Sequence, residues 1–312
     1  MNTLDTLQAI TNQQRVIILD GALATELERR GAKLNDSLWS ARLLMEQPAM
    51  IAQVHLDYFM AGANVATTAS YQATFARLAE RGIGHAEARV LMMKSVELAQ
   101  SARDTFMQQR PDAIRPLIAA SIGPYGAFLA NGAEYRGEYG LDDAQLRDFH
   151  HERIAVLLAA GADLLAFETI PSQQEARVLA RLLYDEFPQA KAWISFSCKD
   201  EMHICEGDRF DACVAELANV PQLLAIGVNC TSPVFVSSLL RLARQVTDKP
   251  LLAYPNSGEQ YDPLSKTWQG AAELASFAQA AQSWHTAGAN WIGGCCRTTP
   301  ADIQAIYDWA RH

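Results

Sequence analysis

The chain has 312 residues, 49% of them hydrophobic and 20% charged, with a formal net charge of −9. That composition is globular with ample material for a core, and it disfavours binding to nucleic acid or other polyanions. The first residues lack the cationic and apolar regions of a signal peptide, and no apolar run approaches the ~20 residues of a membrane span. Six cysteines without the dense spacing of secreted scaffolds point to free thiols or metal ligands in a cytoplasmic protein.

Taken in order, Val16 to Asp20 is the first apolar run, followed by Gly21 and a helical stretch from Ala22 to Arg30. Pro48 opens a second helix, in which Met50, Ile51, Val54 and Tyr58 recur at helical spacing. It ends at Ala61-Gly-Ala-Asn64 and leads into a strand at Val65–Ala69. The same junction recurs at Ala160-Gly-Ala-Asp163 and Ala287-Gly-Ala-Asn290, each time before an apolar run. Glycine there suits a left-handed C-terminal cap, so each copy reads as helix, cap, strand. Further strands are expected at 116–122, 164–167, 192–196, 224–228, 251–254 and 291–292. Helices begin at Ser172-Gln-Gln-Glu175, a capping box, at Ser232-Pro233 and at Thr299-Pro300-Ala-Asp302. Leu146, Phe149, Val156 and Leu157 mark one inward face of another helix. Eight strand–helix alternations in a chain of this length predict a (β/α)₈ TIM-type barrel, an α/β fold, with residues 1–312 as one domain. An open doubly wound sheet would give the same local pattern.

In a barrel the chemistry lies at the C-terminal ends of the strands. Those positions carry Asp20, the Thr67 to Tyr71 segment, Gly123, Glu168, Cys198, Asn229 with Cys230, Tyr254 with Asn256, and Cys295 with Cys296. Three thiols from two strand ends, Cys230, Cys295 and Cys296, suit zinc, which takes sulfur ligands in tetrahedral geometry. Three protein ligands leave a fourth position open for a substrate, and a thiol bound there is held as thiolate. Cys198, His203 and Cys205 qualify as ligands by residue type alone and rank below this trio. Cys213 reads as core, and His150 as a satisfied buried histidine. Gly293-Gly294 could instead hold a phosphate, as in a barrel lyase or isomerase, and the thiols could serve a redox or zinc-buffering protein.

Asp20-Gly-Ala, Glu168-Thr, Gly227-Val-Asn-Cys230 and Gly293-Gly-Cys-Cys296 together resemble the zinc-dependent homocysteine S-methyltransferases. The resemblance runs from about Val16 to the end of the chain. The compact branch using S-methylmethionine or S-adenosylmethionine is the nearest likeness, through Ser70-Tyr-Gln72 and Tyr254-Pro-Asn-Ser-Gly-Glu259. It implies one zinc per chain on Cys230, Cys295 and Cys296, the residues that activate the acceptor, and contacts from Asp20 and Glu168 to the ammonium of homocysteine. Asn229, Thr67 and Tyr71 are candidate substrate contacts beside them. The implied reaction is attack of the homocysteine thiolate on a sulfonium methyl, giving methionine; selenocysteine or selenohomocysteine is an alternative acceptor. The glycine- and tyrosine-rich stretch from Gly123 to Leu141 is a candidate lid over the donor, with 254–268 as a second candidate. Only small-molecule partners are expected, with no nucleic acid, membrane or obligate protein partner.

Overall fold

A computed structural model describes residues 2–34, 39–258, 260–262, 267–269 and 276–311. Its strands are β1 (Ile17–Ile18), β2 (Val65–Thr67), β3 (Leu117–Ile122), β4 (Leu164–Ile170), β5 (Ala192–Phe196), β6 (Leu223–Asn229), β7 (Leu251–Tyr254), β8 (Gln260–Asp262), β9 (Thr267–Gln269) and β10 (Ala289–Ile292). β8 and β9 form a separate antiparallel pair, while the other eight make one sheet in the order β1-β10-β7-β6-β5-β4-β3-β2. All its strand pairs are parallel, and a parallel bridge from Leu19 to Val65 joins the two ends. The sheet is therefore a barrel with helices outside, and the open-sheet alternative falls. All eight strands expected from the sequence are present.

Strand alternation divides the core in two. Leu117, Ala119, Leu164, Ala166, Trp193, Ala225, Leu252 and Trp291 form the barrel interior. Their neighbours Ile118, Ala120, Leu165, Ile194, Ile226 and Leu251 pack outward with the helices. Successive side chains in a strand point to opposite faces, so the same parity carried two residues further places Ser121, Glu168 and Tyr254 inward near the C-terminal rim, and carried four further places Asn229 there. The apolar interior is thus topped by a polar layer.

The opposite end is closed by a helix that the sequence reading did not anticipate, Thr3–Thr11, whose Leu7 and Ile10 join the barrel-interior cluster. The three repeated junctions do more than cap helices. Gly62, Gly161 and Gly288 have φ of +101°, +86° and +117°, as left-handed caps require. The residue two places on then ties a neighbouring strand. Asn64 Oδ1 accepts from Ile18 N at 2.8 Å, Asp163 Oδ2 from Ile118 N at 2.9 Å, and Asn290 Oδ1 from Leu251 N at 3.1 Å. Each bond satisfies an amide at the start of a strand, within its first two residues.

Two local expectations need correction. Ser172 caps its helix, accepting from Glu175 N at 3.4 Å, yet Glu175 does not reach back to complete a capping box. Its Oε1 accepts instead from Tyr125 N at 2.7 Å and lies 2.8 Å from His150 Nε2. His150 is buried as expected, but its Nδ1 has no hydrogen-bond partner among the described residues, so it is only half satisfied there.

Candidate metal centre and active site

The Gly-Gly-Cys-Cys turn is built by close backbone approach. A Cβ on Gly293 would sit 2.6 Å from Leu19 Cβ and 2.8 Å from Asp20 O, so only glycine fits. The turn is then fastened on both sides. Gly294 N donates to Asp20 O at 3.0 Å, Gly293 N to Ala253 O at 3.1 Å and Cys295 N to Pro255 O at 2.8 Å. These bonds use the amides that a phosphate would need. The helix start that follows is occupied too, with Asp302 Oδ2 accepting from Thr299 N at 2.8 Å. A phosphate-binding reading of Gly293-Gly294 is therefore overturned.

Cys230 follows the last residue of β6, in a left-handed conformation at φ +45° that aims its side chain toward the turn after β10. The sulfurs of Cys230, Cys295 and Cys296 all lie within 4.8 Å of one another. Cys230 and Cys296 are 3.7 Å apart, while Cys230 and Cys295 are joined as a disulfide with Cα atoms 5.6 Å apart. Among the described residues this is the one group of three His, Cys, Asp or Glu side chains spaced to hold a metal ion. Burial pushes the Cys296 thiol up to about 12, so the protein alone keeps it protonated; a cation held there would reverse that. Cys198 and Cys213 are buried away from this cluster, and Cys205 is a free thiol outside it. The lower rank given to Cys198, His203 and Cys205 stands.

Two buried acids flank the sulfurs. Asp20 Oδ2 accepts from Thr67 N at 2.8 Å, and Thr67 Oγ1 donates to the same carboxylate at 3.0 Å. Burial raises the Asp20 carboxyl well above the usual range, against the lowering effect of the Thr67 bonds. Glu168 accepts from Ser121 Oγ and, at 3.1 Å, from Tyr254 OH. Burial outweighs those two bonds and lifts Glu168 to about 7. Tyr254 OH is itself held by Trp193 Nε1 at 2.9 Å and Ser195 Oγ at 2.6 Å.

The other expected substrate contacts fare differently. Asn229 Oδ1 accepts from Thr169 N at 2.6 Å and Ser195 Oγ at 2.7 Å, and its Nδ2 donates to Thr169 Oγ1 at 2.8 Å. Its remaining N–H points at Cys295 Sγ, 4.0 Å away. An amide has two acceptor and two donor positions, so Asn229 has none left for a substrate. Thr67 likewise directs both its donors to Asp20. Tyr71 is partly exposed and lies over Gly123, where a Cβ would meet its ring at 2.6 Å. Its phenol is pushed up by burial, then by the charge of Glu134, against a lowering effect of the Thr169 side chain.

The candidate lid contains a helix, Tyr125–Leu129, and a turn, Ala133–Tyr135. Tyr125 packs edge-on against Tyr139 and Phe149, with ring centroids 5.4 and 5.0 Å apart. These two tyrosines hold the loop down. Tyr135 lies in the turn itself, and its phenol is raised by burial first and then by the nearby charges of Cys296 and Tyr71. Of the second candidate segment, Glu259 and residues 263–266 lie outside the described residues. Ser121, Ser195, Trp193 and Glu134 were not singled out from the sequence. The two serines carried a signal, as polar residues interrupting apolar strands; Glu134 carried none.

Comparison with known proteins gives the same picture from an independent direction. A family model described as homocysteine S-methyltransferase matches residues 17–310. The chain is 52% identical to homocysteine S-methyltransferase YbgG of Bacillus subtilis, over 99% of this chain and 98% of that protein. It is 45% identical to a selenocysteine Se-methyltransferase of Brassica oleracea, over 93% of this chain and 87% of that protein. The fold superposes on the metallated form of the homocysteine methyltransferase MmuM from Escherichia coli with a TM-score of 0.89 and 46% identity, covering 98% and 100% of the two chains. This chain, with its three converging sulfurs and paired buried acids at the mouth of a (β/α)₈ barrel, belongs to the homocysteine S-methyltransferase family.

Proposed function

We propose that the protein transfers a methyl group from a sulfonium donor, S-methylmethionine or S-adenosylmethionine, to the thiol of L-homocysteine, giving methionine, with one zinc ion on Cys230, Cys295 and Cys296. The observation that carries this reading is the meeting of those three sulfurs within 4.8 Å beside Asp20 and Glu168. Cys230 and Cys296 stand 3.7 Å apart, close to the ~3.8 Å between sulfurs placed tetrahedrally around zinc at ~2.3 Å, and reduction of the Cys230–Cys295 bond would free the third sulfur to join them. Bound there, zinc supplies a Lewis acid that keeps the acceptor's sulfur deprotonated at neutral pH.

The chain's own residues bind and orient. Asp20 and Glu168 receive the homocysteine ammonium; Thr67 orients the first, and Ser121 with Tyr254 the second. Asn229 is a positioning residue, fixing Thr169 beside Glu168 and reaching Cys295. Tyr71 and Tyr135 shield the cluster from water. Thiolate and sulfonium neutralise each other on the way to the transition state, so a dry, aligned site lowers the barrier without a general acid.

Residues 1–312 act as one domain on small molecules, in the cytoplasm. No helix among the described residues is long and apolar enough to cross a membrane, and the net charge of −9 disfavours polyanions. The test is metal content of the reduced protein, followed by methyl transfer to homocysteine from each donor in turn. About one zinc per chain with methionine formed supports the reading; metal-free, inactive protein after zinc supplementation defeats it. Selenocysteine is a second acceptor to include, given the 45% identity to the Brassica oleracea selenocysteine enzyme and the affinity of zinc for soft ligands.

A further inference from the structure

Glu134, on the turn Ala133–Tyr135 of the mouth loop, has its Oε2 buried with no hydrogen-bond partner among the described residues. The turn that carries it is firmly held. Ser197 Oγ donates to Glu134 O at 2.9 Å, and Glu138 N donates to Glu206 Oε1 at 2.8 Å. Gly126 passes so close that a Cβ there would lie 2.5 Å from Glu134 N. A carboxylate oxygen kept from water without a partner costs on the order of 1–3 kcal/mol, and such atoms call for a specific explanation. The surroundings supply one. Ser197 lies just past β5, and the same turn touches β4, the strand that carries Glu168, so Glu134 sits at the C-terminal mouth of the barrel beside Tyr135.

We propose that Glu134 binds the ammonium group of an amino-acid sulfonium donor and so selects such donors over simple sulfonium ions. The inference rests on the sulfonium reading above and deepens it. Homocysteine brings one ammonium, and Asp20 with Glu168 are already arranged to receive it; a donor built on an amino acid brings a second. The sulfonium centre itself is the wrong target for a carboxylate. Its positive charge disappears in the transition state, so pairing it with an anion would stabilise the ground state and slow transfer. The ammonium keeps its charge throughout, and binding it strengthens donor affinity without that penalty. Tyrosine faces, attractive to the sulfonium but weaker, suit the reacting centre.

The test is Glu134→Gln in the reduced, zinc-loaded protein, with saturating homocysteine and two donors. S-Methylmethionine carries the ammonium; 3-dimethylsulfoniopropionate keeps the sulfonium and carboxylate but lacks it. The expected result is a rise in KM for S-methylmethionine of about ten- to a hundredfold, with kcat within about twofold and KM for homocysteine unchanged. The affinity for dimethylsulfoniopropionate, read as KM or as a competitive inhibition constant, should not move. Equal losses for both donors, or no loss with S-methylmethionine, overturn the proposal. The variant's melting temperature should hold or rise, because burial disfavours the Glu134 charge by more than its own amide and Arg136 offset; a clear fall marks the carboxylate as structural and also overturns it. A wild-type protein that transfers methyl from no sulfonium defeats the sulfonium reading instead.

Discussion

Asn229 grips Thr169 at both ends of its amide, Oδ1 accepting the Thr169 amide proton at 2.6 Å and Nδ2 donating to its hydroxyl at 2.8 Å. Thr169 sits at φ +61°, a conformation that a β-branched residue adopts only when its surroundings enforce it. Glu168 and Cys230, the residues adjoining this pair in the chain, are thereby set in place together. Asn229→Ala leaves the buried Thr169 amide and Ser195 hydroxyl without that acceptor. A loss of ~2–4 kcal/mol is expected, with reduced turnover. Thermal melting checks it: a variant that melts with the wild type shows that Thr169 holds its conformation unaided.

Each of Cys230→Ser, Cys295→Ser and Cys296→Ser should lower bound metal well below one per chain and reduce turnover by about a thousandfold or more. Because Cys230 and Cys295 can pair as a disulfide, metal uptake should require reduction. Metal analysis after chelation and zinc addition, with and without a thiol reductant, reads this directly. Equal uptake in both samples would show that the pair is not oxidised in the isolated protein.

Glu168 titrates at about 7 because burial outweighs its hydrogen bonds, and only its ionised form pairs with an ammonium. The KM for homocysteine should therefore fall as pH rises through about 7 and level off above it. In Glu168→Gln this dependence should vanish, with a higher KM and metal still bound. The same shift works against stability. A carboxyl raised from 4.5 to about 7 destabilises the folded state as pH climbs through that window, by up to ~3 kcal/mol. Glu168→Gln should accordingly melt a few degrees higher than wild type at about pH 8. A lower melting point there would mean that the ionised carboxylate is well compensated.

His55 is fully buried with neither ring nitrogen hydrogen-bonded among the described residues, and burial depresses it to about 4. The unfolded chain therefore binds a proton below its ordinary value of 6.5 that the folded chain refuses. Stability is complete above about 6.5 and declines as pH falls toward 4, by up to ~3 kcal/mol. His55→Phe should flatten that decline, measured as melting temperature against pH. An unchanged slope would assign the acid sensitivity to other groups.

The sequence by itself determined the alternation of strands and helices, the left-handed glycine caps and the residues at the strand ends. These are local: periodicity, capping and turn chemistry operate within a few residues and need no distant partner. It also yielded the three cysteines and the two acids, because such residue types are conspicuous where apolar runs stop. Tertiary structure decided what those side chains do. Closure of the sheet through Leu19 and Val65, not the pattern of strands, separates a barrel from an open sheet. Asn229 and Thr67 stand at strand ends as a substrate contact would, yet approach across the barrel commits them to Thr169 and Asp20. Glu175 occupies a capping-box position but is drawn away by Tyr125 and His150. Glu134 lies in an irregular loop whose local sequence holds no sign of what it faces. For Asn229, Thr67 and Glu175 the partner lies 25 or more residues away, and only folding sets which donor reaches which acceptor and which group, as at Glu134, is left without one among the described residues.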